Sequence, residues 1–310
     1  MWFKQIQLFQ LPKQNFSIPE ITEKLEQLTF KPCLPSLPYS TGWVSPIDEE
    51  NAPILRSVNG YIMLCMQIEE KILPNVVITQ ELKEKIKQIE ASQDRRVRQK
   101  EKMSLKDEIT FTLMPKAFSK ISRFYAYIDT KNHWLVIGST NAAKNEQFIN
   151  LFKRSICEEI KTFDLIKPPA VFTHWLKSKD YPNLFSIEDA CVLQDPNQQK
   201  RVIRCQNQDL FAQSIQALIK DGCEAKQIAL SWCDRLQFTL AEDFTLRSIQ
   251  YGEDILTHSK DIGETKQQKF DADFYIMTET LTHLLKDLLP LFTKKENKEI
   301  SAKKEILEPA

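Results

Sequence analysis

The chain opens on a mostly apolar run over residues 2–11, interrupted by Lys4, Gln5 and Gln7, and this pattern predicts a strand. Pro19 then stands where a first helical turn tolerates proline. Ile21, Leu25 and Leu28 recur at helical spacing, predicting a helix that ends by Phe30. Pro32, Pro35, Pro38, Pro46 and Pro53 predict a connection too broken for regular structure. Residues 61–68 are almost wholly apolar, the pattern of a strand buried on both faces. The organisation changes at Thr79. Leu82, Ile86 and Ile89 form a narrow apolar stripe that Val97 extends weakly, predicting one helix over 79–102, roughly 36 Å long at 1.5 Å per residue. Ser104, with Asp107 three residues on, predicts the cap of a second helix that Pro115 stops. The two helices read as a projecting arm.

Alternating patterns resume beyond it. Residues 123–129 and 133–138 predict a hairpin across Thr130-Lys131-Asn132, followed by a helix whose buried face is Phe148, Leu151, Phe152, Ile156 and Ile160. Pro168-Pro169 marks a boundary. Further on come a short helix near Trp175, strands over 185–193 and 201–205, and a helix over 210–220 ended by Gly222. Strands over 224–232, 235–241 and 245–251 follow, then a helix over 272–289 stopped by Pro290. The expectation is an α+β protein with mixed sheets, flanking helices and a basic helical arm. Its divisions are 1–78, the arm over 79–121, 122–167, a C-terminal α/β region over 168–292, and a charged, frayed tail over 293–310.

Length and composition bound this picture without identifying it. The 310 residues suffice for one elaborate domain or two to three smaller ones. Lys+Arg and Asp+Glu both total 42, so a nucleic-acid partner has to be argued from local clustering. No apolar stretch reaches bilayer length, and the first residues lack the pattern of a signal peptide, so no membrane partner is expected. Seven scattered cysteines without a C-x-x-C pair fit a reduced cytoplasm. The four histidines show no metal-ligand spacing, and the glycine-rich phosphate loops and nucleophile motifs of enzymes are missing, so neither cofactor nor metal is expected. The best carboxylate pair, Asp271 and Asp273, reads first as the cap and first turn of the last helix. The alternative is a divalent-metal pair for nuclease chemistry.

Clustering does occur at residues 95–106, which hold six basic residues and one acidic one. Arg95, Arg96, Arg98, Lys100, Lys102 and Lys106 are the candidate DNA contacts, with Lys116 and Lys120 beyond the arm. On a single helix Arg95, Arg98, Lys102 and Lys106 would form a cationic line suited to a row of phosphates. The alternative is a solvated helix face. Phe118, between two lysines just after Pro115, could be core or an anchor for a second subunit.

These residues carry a family resemblance. Trp2-Phe3-Lys4, Gly42-Trp43-Val44, Glu69-Glu70-Lys71-Ile72-Leu73-Pro74, Ser104-Leu105-Lys106-Asp107-Glu108, Pro115-Lys116-Ala117-Phe118-Ser119, Ile128-Asp129-Thr130, and Phe270-Asp271-Ala272-Asp273-Phe274 with Met277-Thr278 stand in this order and spacing. Over nearly its whole length the chain resembles the recombination-associated RdgC family of proteobacteria. The missing enzyme motifs lead us to expect no catalytic activity, and the resemblance implies a homodimer closed into a ring around duplex DNA, bound without regard to sequence. It also implies association with the nucleoid and restraint of RecA-driven strand exchange. It makes Phe118 a dimer-contact aromatic. It aligns Gln206-Asn207-Gln208 with a projecting loop that often carries lysine in the family, so the amides here weaken the case for a charged contact.

Overall fold

The computed structural model describes residues 2–49, 51–157, 159–198, 200–260 and 265–293, with the backbone alone at 258–260. The segment 294–310, which includes nearly all of the expected charged tail, lies outside the described residues.

Two antiparallel sheets hold the strands. The first contains β1 (Gln7–Gln10), β2 (Tyr39–Val44), β3 (Arg56–Val58), β4 (Tyr61–Ile72), β5 (Phe118–Asp129) and β6 (Trp134–Ile137). Its order is β1-β6-β5-β4-β2, with β3 sharing the outer edge of β4. Its spine is β4 against β5, paired from Tyr61 opposite Asp129 to Ile72 opposite Phe118. The second sheet contains β7 (Phe185–Gln194), β8 (Val202–Cys205), β9 (Glu224–Trp232), β10 (Leu236–Ala241) and β11 (Leu246–Tyr251), in the order β11-β10-β9-β7-β8. The helices are α1 (Ile18–Gln27), α2 (Asn75–Gln93), α3 (Gln99–Leu113), α4 (Ala142–Ser155), α5 (Pro168–Ser178), α6 (Gln213–Lys220), α7 (Glu253–Lys260) and α8 (Lys266–Leu288).

The chain is therefore α+β, but the expectation of mixed sheets is corrected: every ladder is antiparallel. The continuous apolar run in β4, a pattern shared with parallel strands, arises because both faces of the first sheet are covered. On one face Ile62, Leu64, Met66 and Ile68 pack with Phe148, Leu151 and Phe152 of α4 and Ile21 and Leu25 of α1. On the other, Tyr61, Met63 and Tyr127 join Phe274, Met277 and Leu281 of α8 and the inner face of the second sheet. That second cluster draws on residues from both sides of Pro168-Pro169, which are the buried first turn of α5.

The expected first strand is split between the sheets. Residues 7–10 pair with β6, whereas Ile6 exchanges backbone hydrogen bonds with Leu246 at 2.8 and 3.1 Å and Lys4 accepts one from Ile249 at 2.8 Å. This short segment laces the two sheets together. Arg56 on β3 makes a second tie, donating through Nε and Nη2 to both oxygens of Asp271 on α8 at 2.7 and 2.6 Å. The proline-rich connection is also less broken than expected, because the proline-free stretch between Pro38 and Pro46 forms β2. Gly42 lets residues 28–30 run against that strand's outer edge: an added Cβ would stand 2.3 Å from the Phe30 Cα. Helix α7 had no clear periodic signal.

Candidate nucleic-acid interface

The arm is an insertion between β4 and β5, at the end of the spine where the core gives out. Burial along β5 falls from complete at 126–129 to exposed at 118–121, leaving a two-stranded ribbon open to solvent. From this ribbon α2 rises about 28 Å at 1.5 Å per residue. The expected single helix over 79–102 does not form. Asp94 takes a left-handed conformation (φ 45°), the chain reverses over 94–98, and α3 returns beside α2. The physical reason is the narrow stripe of Ile78, Leu82, Ile86 and Ile89, which one isolated helix would leave wet. The reversal supplies Leu105 and Ile109 as a partner stripe, and Val97 is buried in the turn with its N–H on Glu90 Oε1 at 3.0 Å. Ser104 and Asp107 consequently lie inside α3 instead of capping it. Arg98 holds the N-cap position, and the carboxylate three residues on, Glu101, accepts its backbone N–H.

This geometry redistributes the candidate basic residues. Arg95 is in the turn, with its guanidinium donating twice to Glu101 at 2.7 Å and once to Gln93 Oε1 at 2.7 Å. That guanidinium is the main reason the Glu101 carboxyl is held below the usual glutamate range. The expected continuous line of Arg95, Arg98, Lys102 and Lys106 is therefore corrected. Arg95 staples the tip, Arg98 opens α3, and Lys102 and Lys106 follow one turn apart on a single flank. Lys100, two residues before Lys102, is rotated about 160° from it around the helix. Arg96, Arg98, Lys100 and Lys106 are exposed. Lys116 and Lys120 are exposed too, but they sit at the arm's root, Lys120 directly opposite Glu70.

Phe118 lies at that root and is 86% exposed, so it is not a core residue of this chain. Around it the ribbon and the lower helices expose Ile72, its register partner, with Val76, Val77, Phe111 and Ile121. Sequence reasoning had singled out Phe118 alone. The signal it missed was the apolar count at 72–77, which exceeds what the stripe of α2 can bury.

The remaining candidates lie apart from the arm. Gln206, Asn207 and Gln208 follow β8, exposed, with Asn207 left-handed and the Gln208 N–H on the Asp189 carbonyl at 3.1 Å. Glu188, Asp189 and Asp209 border the same shallow depression, an acidic neighbourhood unsuited to phosphate. Asp271 does not cap α8. Thr265 does, in a capping box with Gln268, so the helix starts earlier than expected and Asp271 falls in its second turn, engaged by Arg56. Residues two apart on a helix do not face each other, so Asp271 and Asp273 do not converge on one point. Among the described residues no cluster of three or more His, Cys, Asp or Glu is arranged to hold a metal ion, and no helix is long and apolar enough to cross a membrane.

Comparison with known proteins gives one answer. The family model described as "Putative exonuclease, RdgC" matches residues 1–295. The recombination-associated protein RdgC of Yersinia enterocolitica is 34% identical over 293 residues, 93% of this chain and 97% of its own length. The same figures hold for the proteins of that name from Yersinia pestis and Yersinia pseudotuberculosis.

Proposed function

Since the chain belongs to the RdgC family, we propose that it is a recombination-associated DNA clamp: a homodimer closed into a ring that holds duplex DNA without reading its sequence. One observation carries the reading. A chain of zero net charge concentrates exposed cations at the tip of an arm and an apolar patch at the root of the same arm. The patch suits a second subunit, and the tip suits phosphates. The cations come from a turn and a helix flank, as scattered point donors, which supports contact with the backbone over readout of bases. Encirclement would slow dissociation without base contacts. Occupied DNA is closed to RecA, so the clamp would restrain strand exchange by mass action in the nucleoid, with no cofactor and no chemical step.

The word exonuclease in the family description names the competing reading. The carboxylate pair offered for it is weakened by the Arg56 contact to both Asp271 oxygens and by the helical spacing to Asp273. Incubating the protein with linear and circular DNA and magnesium tests this: intact DNA is expected, and nucleotide release would overturn the non-enzymatic reading. Sizing the protein with and without duplex DNA tests the clamp itself. A dimer is expected, with similar affinity for unrelated duplexes. If about five to eight phosphates are neutralised, log K against log salt falls with a slope of roughly −4 to −7. A monomer, or a flat salt response, would overturn it.

A further inference from the structure

The second sheet ends on a four-residue edge strand, β8, and its last residue faces a cysteine. Cys205 on β8 is the register partner of Cys191 on β7. Among the described residues no other ladder sets two cysteines opposite each other. Both are free thiols and both are buried, at 7% and 3% exposure. Directly opposed residues of antiparallel strands stand about 4.5–5.5 Å apart at Cα, inside the window of about 4.4–6.8 Å that a disulfide spans. The bridge therefore needs side-chain rotation and little backbone movement.

We propose that Cys191 and Cys205 are a redox modification site, closing under peroxide into a cross-strand disulfide that pins the edge strand β8. The two thiols lie close enough that Cys205 adds to burial in holding the Cys191 thiol above its usual range, which keeps the closed sheet unreactive. Reaction requires opening of the edge. Cys205 terminates a short strand hydrogen-bonded on one side only, so fraying exposes it first. Its thiolate attacks the peroxide, the O–O bond breaks, and the leaving oxygen departs as water, or as an alcohol from an organic peroxide. The resulting sulfenic acid is attacked by Cys191, the S–O bond breaks, and a second water leaves as the S–S bond forms. The two thiols supply the two electrons that reduce the peroxide.

The bridge would also tie down the neighbouring loop. Residues 206–208 begin immediately after Cys205, and Gln208 already hydrogen-bonds to Asp189 in the irregular stretch of β7 just before Cys191. Oxidation thus fixes both ends of this exposed segment, giving it two degrees of mobility set by redox state.

The test treats the full chain with hydrogen peroxide and maps its peptides by mass. The expected product is a linked pair containing Cys191 and Cys205, about 2 Da lighter than the two thiol peptides together, for the two hydrogens lost on oxidation, and reversed by dithiothreitol. Denatured thiol titration should fall from seven to five, and hydrogen exchange at 202–208 should slow by about tenfold. Cys205→Ser and Cys205→Ala should each leave Cys191 unlinked, and the linked peptide of the unsubstituted chain reads the result even if a variant folds poorly. The proposal is overturned if both residues stay reduced while exposed Cys233 is oxidised, if each proceeds alone to sulfinic acid, or if the linked protein exchanges at 202–208 as fast as the reduced one.

Discussion

Two acidic side chains do more for this chain than their exposure ranking suggests, and both sit at reversals of direction. Asp129 is fully buried at the end of β5. Its Oδ1 accepts the backbone N–H groups of Lys131 and Asn132 at 3.0 Å, and its Oδ2 accepts Asn132 Nδ2 at 2.6 Å and Thr282 Oγ1 at 3.1 Å. It both shapes the β5–β6 turn and ties that turn to α8. Asp129→Ala leaves one buried donor, the Thr282 hydroxyl, and three partly buried ones unpaired, so a loss of about 3 kcal/mol is expected in chemical denaturation; a change under about 1 kcal/mol would show that water replaces the carboxylate. Glu101 at the arm tip is half-buried, and its interest is its pH dependence. Because the folded carboxyl titrates below the ordinary range, the tip order it provides is complete above that range and is lost as pH falls through the lowered value. Protection of the amides at 95–101, relative to their intrinsic exchange rates, should therefore persist into mildly acidic solution and then fall, and Glu101→Gln should leave them little protected at every pH. The turn's role was hard to see in sequence because Arg95 and Glu101 are six apart, a spacing that no single helix brings together.

At the scale of elements, the patterns that bury a wide face were readable and those that bury a narrow one were not. The hairpin of β5 and β6 and the strands β7 to β11 follow their hydrophobic periodicity, although β5 begins five residues before the expected 123; α4 buries Phe148, Leu151 and Phe152 as expected but ends at Ser155, short of Ile156 and Ile160. In the arm the two expected helices form, but the break between them falls at 94–98 instead of beyond 102, because they show almost no amphipathic asymmetry, each helix lying on its partner along a line instead of on a core. The early start of α8 was legible: Thr265 and Gln268 carry the capping-box pattern, overlooked in favour of a more apolar start. The ion pair between Arg56 and Asp271 joins residues 215 positions apart and had no sequence signal. The corrected arm changes which charges matter. Reversing Arg98, Lys102 and Lys106 together should weaken duplex binding and reduce the salt slope by roughly 2.7, at about 0.9 per phosphate, with thermal stability nearly unchanged. Reversing Arg95 instead should loosen the tip. If the triple variant binds normally, the cations that meet DNA lie elsewhere.

For the whole molecule the patch around Phe118 is the decisive surface. At 86% exposure its truncation removes no core packing, so the chain itself should lose within about 0.5 kcal/mol. An aromatic anchor at a subunit contact is worth about 2 kcal/mol or more, roughly a thirtyfold shift in a dimerisation constant. Phe118→Ala should therefore melt normally while dissociating faster from circular DNA, and a normal off-rate would remove Phe118 from the contact. Initial binding at low salt should survive, because the cationic tip is untouched.

The lacing of the two sheets by residues 4–6 bears on how such a chain is made. Their hydrogen-bond partners, Leu246 and Ile249, lie roughly 240 positions later, and the Phe3 N–H meets the sulfur of Met277. During synthesis residues 4–6 thus wait, unpaired, until residues 246–249 have been made and have left the ribosome. The seam is among the last contacts to close, and the unpaired backbone of residues 4–6 is on offer to other nascent chains throughout that wait. Slowing translation late in the message should lower the yield of assembled protein more than slowing it early.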